Sequence, residues 1–191
     1  DSPYLVGASI FYSFRGSSTN YYFPIDFTVG GAVASFGRRL EWPDDFFRVM
    51  WSAKYMQKEY EGSQEDIDNY IGGLQKTRGI SFAQVLSRDS RNRAEFPTNG
   101  STFILENTYS GGFLGGNENF QKHMLTLDWF TPTFSKFILY NSVKLGVIKT
   151  IDVGDDVQSF VPFDERFIMG GNGIPYGNAL RGYPDNAIGP Q

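Results

Sequence analysis

Residues 46–60 alternate with a period of two. Phe47, Val49, Trp51, Ala53 and Tyr55 fall on one side, and Arg48, Met50, Ser52, Lys54 and Met56 on the other. Successive side chains of a strand point to opposite faces, so this is the pattern of a strand with one apolar and one polar face. No helix can satisfy it, because a helix repeats every 3.6 residues. A lipid-facing wall strand reads this way, and so does a half-buried strand of a soluble protein. The alternation restricts the chain to β structure without deciding what covers the apolar side.

The same reading recurs along the chain. Residues 4–14 set Tyr4, Val6, Ala8, Ile10 and Tyr12 against Leu5, Gly7, Ser9, Phe11 and Ser13, and a polar Ser17-Ser18-Thr19-Asn20 turn follows. Residues 23–39 form a second strand whose small central residues (Gly30, Gly31, Ala32, Ala34) suit a tightly curved wall. After a short turn at Trp42-Pro43 comes the strand 46–60. The polar stretch 61–78 predicts an irregular connection holding a short helical turn. Strands are then predicted at 79–88, 101–110, 119–131 and 136–150, separated by a turn at 91–100, a Gly-rich loop at 111–117 and a turn at 132–135. In the strand 119–131, His123, Leu125, Leu127 and Trp129 oppose Lys122, Met124, Thr126 and Asp128. The seven strands are each about 10–15 residues long, against the roughly 9–11 that cross a bilayer when tilted. Short and long connections alternate, as periplasmic turns and extracellular loops do in a transmembrane barrel.

Composition removes other classes. No run approaches the ~20 apolar residues of a membrane helix, which leaves a strand-built membrane protein open. A net charge of −4 without a Lys/Arg cluster gives no attraction to nucleic acid. With no cysteine there is neither disulfide nor thiolate chemistry. The single His123 lacks partners for a metal site and reads as interfacial or structural. No G-x-S-x-G elbow points to a hydrolase. Asp152, Asp155 and Asp156 around Gly154 lack calcium-loop spacing and read as a solvated loop tip. Asn99-Gly100 reads as hairpin chemistry, able to accept positive φ. No metal, cofactor or enzymatic activity is expected. Asp1-Ser2-Pro3 opens no signal peptide, so the true N-terminus is expected to be missing.

From residue 152 onward the chain predicts one long loop. Four glycines lie from Gly170 to Gly177, with Pro175 among them, so no helix or regular strand is expected there. Pro175 and Pro184 also exclude the helix a phosphate-binding glycine loop needs. The loop then presents Leu180-Arg181-Gly182-Tyr183. Arg carries a planar, always charged fork suited to a shielded carboxylate.

Leu180, Arg181, Gly182 and Tyr183 resemble the [I/V/L]-R-G-[F/Y] motif in the sixth extracellular loop of the BamA-type outer-membrane assembly and translocation superfamily, also called bacterial surface antigen proteins. Phe163, Glu165, Phe167, Gly170 and Gly171 resemble the aromatic-Glu-x-Phe-x-x-Gly-Gly segment that precedes it there. Arg88, Asp89 and Arg91, with Phe96, Pro97, Thr98, Gly100 and Ser101, resemble a turn of the same family between two barrel strands. The resemblance implies an all-β fold: a partial antiparallel transmembrane β-barrel within one domain, 1–191, with strands and turns in 1–151 and the long sixth loop in 152–191. A family barrel has sixteen strands, so this chain would supply roughly the fifth to the eleventh, without the periplasmic POTRA domains or the closing strands. The implied function is folding and inserting β-barrel proteins in the outer membrane of a Gram-negative-type bacterium. Implied partners are outer-membrane lipid, unfolded β-barrel clients, accessory lipoproteins and periplasmic chaperones. Alternatives are a translocation pore of the same superfamily (TamA-like or a two-partner secretion transporter), a passive porin-like barrel, and a soluble β-sandwich.

Overall fold

The structure is a computed structural model and describes residues 4–16, 25–154, 161–167, 169–170, 179–184 and 187–188. Seven strands form one sheet in sequence order: β1 (Tyr4–Arg15), β2 (Asp26–Arg39), β3 (Phe47–Glu61), β4 (Lys76–Asp89), β5 (Gly100–Ser110), β6 (Phe120–Pro132) and β7 (Ile138–Thr150). Each pairs antiparallel with the next, so every connection is a hairpin. The sheet is open at β1 and β7.

Register carries the alternation of single strands across the whole sheet. Val49, Leu86, Leu105, Leu125 and Leu145 stand opposite one another from β3 to β7. Phe36, Trp51, Gln84, Asn107, His123 and Val147 form the neighbouring row on the same side. We call this side the outer face. The other carries Arg48, Lys54, Lys58, Lys122, Asp128 and Lys144, and residues 161–167 pack onto it; it is the inner face. Leu127 and Trp129 thus lie opposite in facing to Lys122 and Asp128, as the alternation predicts. The outer face is apolar yet uncovered, with Ile10 89%, Leu145 59% and Val147 63% exposed. So large an open apolar surface needs a nonaqueous neighbour. Among the described residues no second sheet packs on it.

We expect Leu127→Arg, on this apolar side, to destabilise the full-length protein in bilayers by about 2–4 kcal/mol if it lies near mid-membrane, and less toward the rim. Thr126→Arg, one residue away on the inner face, should cost much less. Urea unfolding in vesicles checks this, and equal costs would contradict the facing.

The largest departure lies between β3 and β4. The connection 61–78 is more regular than its polarity suggests. It holds a full helix, α1 (Gln64–Ile71), and β4 begins at Lys76 rather than at 79. Ser63 caps α1 by accepting the Asp66 N–H at 3.2 Å, and Gly72 ends it at φ 66°. Ile67 and Ile71, one turn apart, bury against Ile25 and Tyr60 in a small apolar cluster at the rim with the longer loops. Only two apolar residues mark that helical face, too few to stand out among polar neighbours. β2 is described from Asp26; Phe23, where the sequence starts it, lies outside the described residues.

Candidate functional site

The inner face holds one built polar site, where the segment 161–167 sits on the wall. β3 carries Lys58 there, directly opposite Thr77 of β4. The connection between β5 and β6 folds back over β4 through a Gly79–Gly116 bridge and a 2.9 Å bond from the Asn117 N–H to the Arg78 carbonyl. That fold brings Glu118 against the wall. A Cβ at position 79 would lie 2.6 Å from a Glu118 carboxylate oxygen, so Gly79 makes room for the acid. Lys58 and Glu118 are each only 2% exposed. The Thr77 hydroxyl donates to Glu118 Oε1 at 2.8 Å, and Lys58 Nζ lies 3.3 Å from the same oxygen.

The segment supplies the second acid. Pro162 is buried, and residues Phe163–Glu165 form a 3-10 turn closed by the Glu165 N–H to the Pro162 carbonyl at 3.0 Å. Arg166 Nε donates back to the Val161 carbonyl at 3.1 Å. The tight turn points two consecutive acids at two different strands. Lys58 Nζ donates to both Asp164 carboxylate oxygens at 3.0 Å. Lys122 Nζ on β6 donates to Glu165 Oε2 and to the Glu165 carbonyl, each at 3.0 Å. Lys122 also lies 5.3 Å from the Phe167 ring centroid, in cation–π range. The Phe167 ring rests on β7 at Gly146, where an added Cβ would approach it to 2.5 Å. The arrangement can bind and hold a peptide segment.

Of the residues singled out from sequence, Glu165 and Phe167 meet here, and Gly170 is buried just beyond, where Met169 and Ile188 pair across the loop. Phe163 opens the turn, and Gly171 lies outside the described residues. Leu180 is half-buried. Arg181 and Gly182 form a turn with Gly182 at φ 88°, a conformation that favours glycine. Arg181 and Tyr183 are exposed, and Arg181 makes no hydrogen bond or ion pair with a described residue. Asp128, an acid of the inner wall, is engaged by Thr102 (3.0 Å) and Tyr140 (2.9 Å).

The third group lies at the opposite end of the strands, on the rim of short turns. Arg88 joins two of those turns: its guanidinium donates to Asp44 at 2.8 Å and to Ser90 at 3.0 Å, and lies 3.4 Å from the Ser101 hydroxyl. Arg91 grips Asp89 through two nitrogens at 2.9 and 2.7 Å, which raises its already high pKa further. Thr98 and Asn99 donate their N–H groups to the Asn92 side chain at 3.1 and 3.2 Å. Gly100 takes φ 105°, and a Cβ there would press on the Ser90 carbonyl and sit 2.7 Å from the Arg91 Cα. Asn99 has no positive φ; the strained non-glycine is the exposed Phe96 at φ 51°, followed by Pro97. These residues build a turn and do not reach the inner-wall site.

Sequence reasoning placed Lys122 on the inner face but missed Lys58, Glu118 and Gly146 as members of the site. The available signal was the consecutive acids Asp164-Glu165 in a chain whose inner face carries lysines. We expect Gly146→Val to displace the Phe167 ring and cost about 1–3 kcal/mol, the usual range for overpacking. Phe167→Ala in the same protein should recover part of that loss, measured by unfolding in bilayers as a double-mutant cycle. Strictly additive losses would mean that the ring does not rest there.

A sequence model of the Omp85 superfamily domain matches residues 1–191. The chain is 26% identical over 148 residues to the outer membrane protein assembly factor BamA of Nitratidesulfovibrio vulgaris, covering 77% of this chain and 17% of that protein. The crystal structure of BamA from Haemophilus ducreyi lacking POTRA domains 1–3 matches with a TM-score of 0.77 at 18% identity. That match covers 98% of this chain and 36% of the solved one. The chain therefore spans well under half the length of either relative.

Proposed function

The chain belongs to the Omp85 superfamily, and from that premise we propose that it is part of the membrane barrel of an outer-membrane protein assembly factor. In this reading the seven strands and their turns belong to the barrel wall, and the described residues 161–167 belong to a loop that returns onto its inner side. The observation that carries this reading is the seat of residues 161–167, held by Lys58 and Lys122 on β3 and β6. A passive pore works through an open lumen, whereas this wall is built to keep a peptide segment inside it. The likeness to a protein named as an assembly factor supports the same choice.

Assembly needs no covalent chemistry or cofactor. An unpaired strand edge of the barrel offers backbone donors and acceptors, and a strand of the client pairs with them. The templating edge belongs to seam strands outside these seven. The clients are unfolded β-barrel proteins, delivered by periplasmic chaperones and helped by accessory lipoproteins, and the site of action is the bacterial outer membrane.

The test is reconstitution of the full-length protein in lipid vesicles, followed by addition of a urea-denatured β-barrel client. Faster client folding than in empty vesicles is expected. A large, unblocked conductance without acceleration would support the porin-like alternative. Export of a soluble passenger without client folding would support the translocation pore.

A further inference from the structure

The outer face is not evenly apolar. On β1 to β4 it has an open hollow of about 630 Å³ floored by Ala8, Ala32, Ala34 and Ala53. Ile10, Tyr55 and Ile80 wall it. One outward-facing position below Ala34 and Ala53, toward the short turns, the Phe36 and Trp51 rings stack with centroids 6.0 Å apart. Above, toward the longer loops, Tyr55 is shared with a second, polar notch of about 380 Å³ lined by Gln57, Lys76, Arg78 and Asn117. Register fixes the order: Ile80 stands opposite Tyr55, Arg78 opposite Gln57 and Lys76 opposite Glu59. Arg78 and Lys76 are therefore one and two outward-facing positions above the hollow.

Of the two cations lining the notch, one has no ion-pair partner among the described residues. Lys76 pairs with Glu59 at 2.9 Å. The Arg78 guanidinium has no hydrogen bond or ion pair with a described residue; only its backbone is bound, its N–H to Asn117 Oδ1 at 2.7 Å. An apolar hollow with aromatic rings below it, sharing Tyr55 with a notch that carries a guanidinium without a described partner, is complementary to an acyl chain joined to an anionic headgroup. Arg suits a phosphate because its fork can donate two parallel hydrogen bonds.

We infer that this cleft is a binding site for a phosphate-bearing, anionic lipid, with an acyl chain over the alanine floor and the phosphate at Arg78. The inference rests on the outer face meeting lipid, part of the function proposed above. Small residues recess the surface beneath the chain. Lys76 supports the headgroup less, since Glu59 already neutralises it.

The experiment uses the full-length protein in phosphatidylcholine nanodiscs. These carry either a phosphatidylglycerol or a phosphatidylcholine probe with the same photoreactive acyl chain, and labelled peptides are mapped. The anionic probe is expected to label residues 32–34 and 53–55 about fivefold more than the neutral one, as one unpaired cation near a charged lipid surface allows. Arg78→Gln should abolish that preference, and Ala34→Phe should reduce labelling by both probes at the hollow. Equal labelling by the two probes would overturn the site while leaving the facing intact. So would labelling at Leu125 and Leu127 with none at the hollow. No labelling anywhere on the outer face would overturn the facing itself.

Discussion

Replacing Lys58 with methionine is expected to destabilise the full-length protein by about 3 kcal/mol, the lower end of the range for breaking a buried ion pair. The loss comes from what remains behind. Glu118 is 2% exposed and would keep only the Thr77 hydroxyl as a described partner. Asp164 is 31% exposed and can recover water, which holds the cost below the upper end near 5 kcal/mol. Methionine matches the length of the aliphatic stem, so the experiment removes charge more than packing. Lys58→Met with Glu118→Gln should recover part of the loss, because the acid stranded by the first change is then neutral. Lys58→Arg should fall between, since its planar fork differs in shape from an ammonium set between two carboxylates. Urea unfolding in vesicles gives the free energies, and protease cleavage within residues 161–167 should rise in Lys58→Met. A variant that unfolds and is cleaved like the wild type would show that the seat does not hold the segment.

Arg181→Ala is expected to lower both stability and client-folding rate of the full-length protein, with a stability loss of about 3–5 kcal/mol. In the seven-strand sheet Arg181 stands exposed on a turn at Gly182, and Asp128 is already engaged by Thr102 and Tyr140. The family resemblance implies a partner acid on strands that follow the loop. The upstream segment is seated by Lys58 and Lys122, and the Met169–Ile188 pairing closes the loop on itself, so the position of Arg181 is constrained from both sides. Arg181→Lys should restore only part of the activity, because a point charge cannot reproduce a bidentate bond. Wild-type folding rates and stability in Arg181→Ala would remove this residue from the mechanism.

Arg181 was visible in the sequence, as an arginine between a run of glycines and a tyrosine. Lys58 was not, because nothing in its neighbourhood along the chain distinguishes it from Lys54.

By itself the sequence determined what depends on near neighbours. Strand alternation is a local property: each residue's side follows from its predecessor's, so Val49 and Trp51 could be set against Arg48 and Lys54 without any partner strand. Turns are equally local, and Gly100 takes the positive φ its Asn-Gly context suggests. The tertiary structure alone decided which residues meet across the sheet. Lys58 and Asp164 are 106 residues apart, and their pairing depends on β3 register, on the turn at residues 163–165 and on Glu118 folding over Gly79. Gly146 is one more small residue in its strand until a ring from beyond the strand rests on it. α1 also needed the tertiary structure, since Ile67 and Ile71 gain their burial from Ile25 and Tyr60 on β2's approach and β3. Charge pairing is strong only where water is excluded, and exclusion is a property of the assembled wall. The strands could be read one at a time, whereas the site exists only where several of them come together.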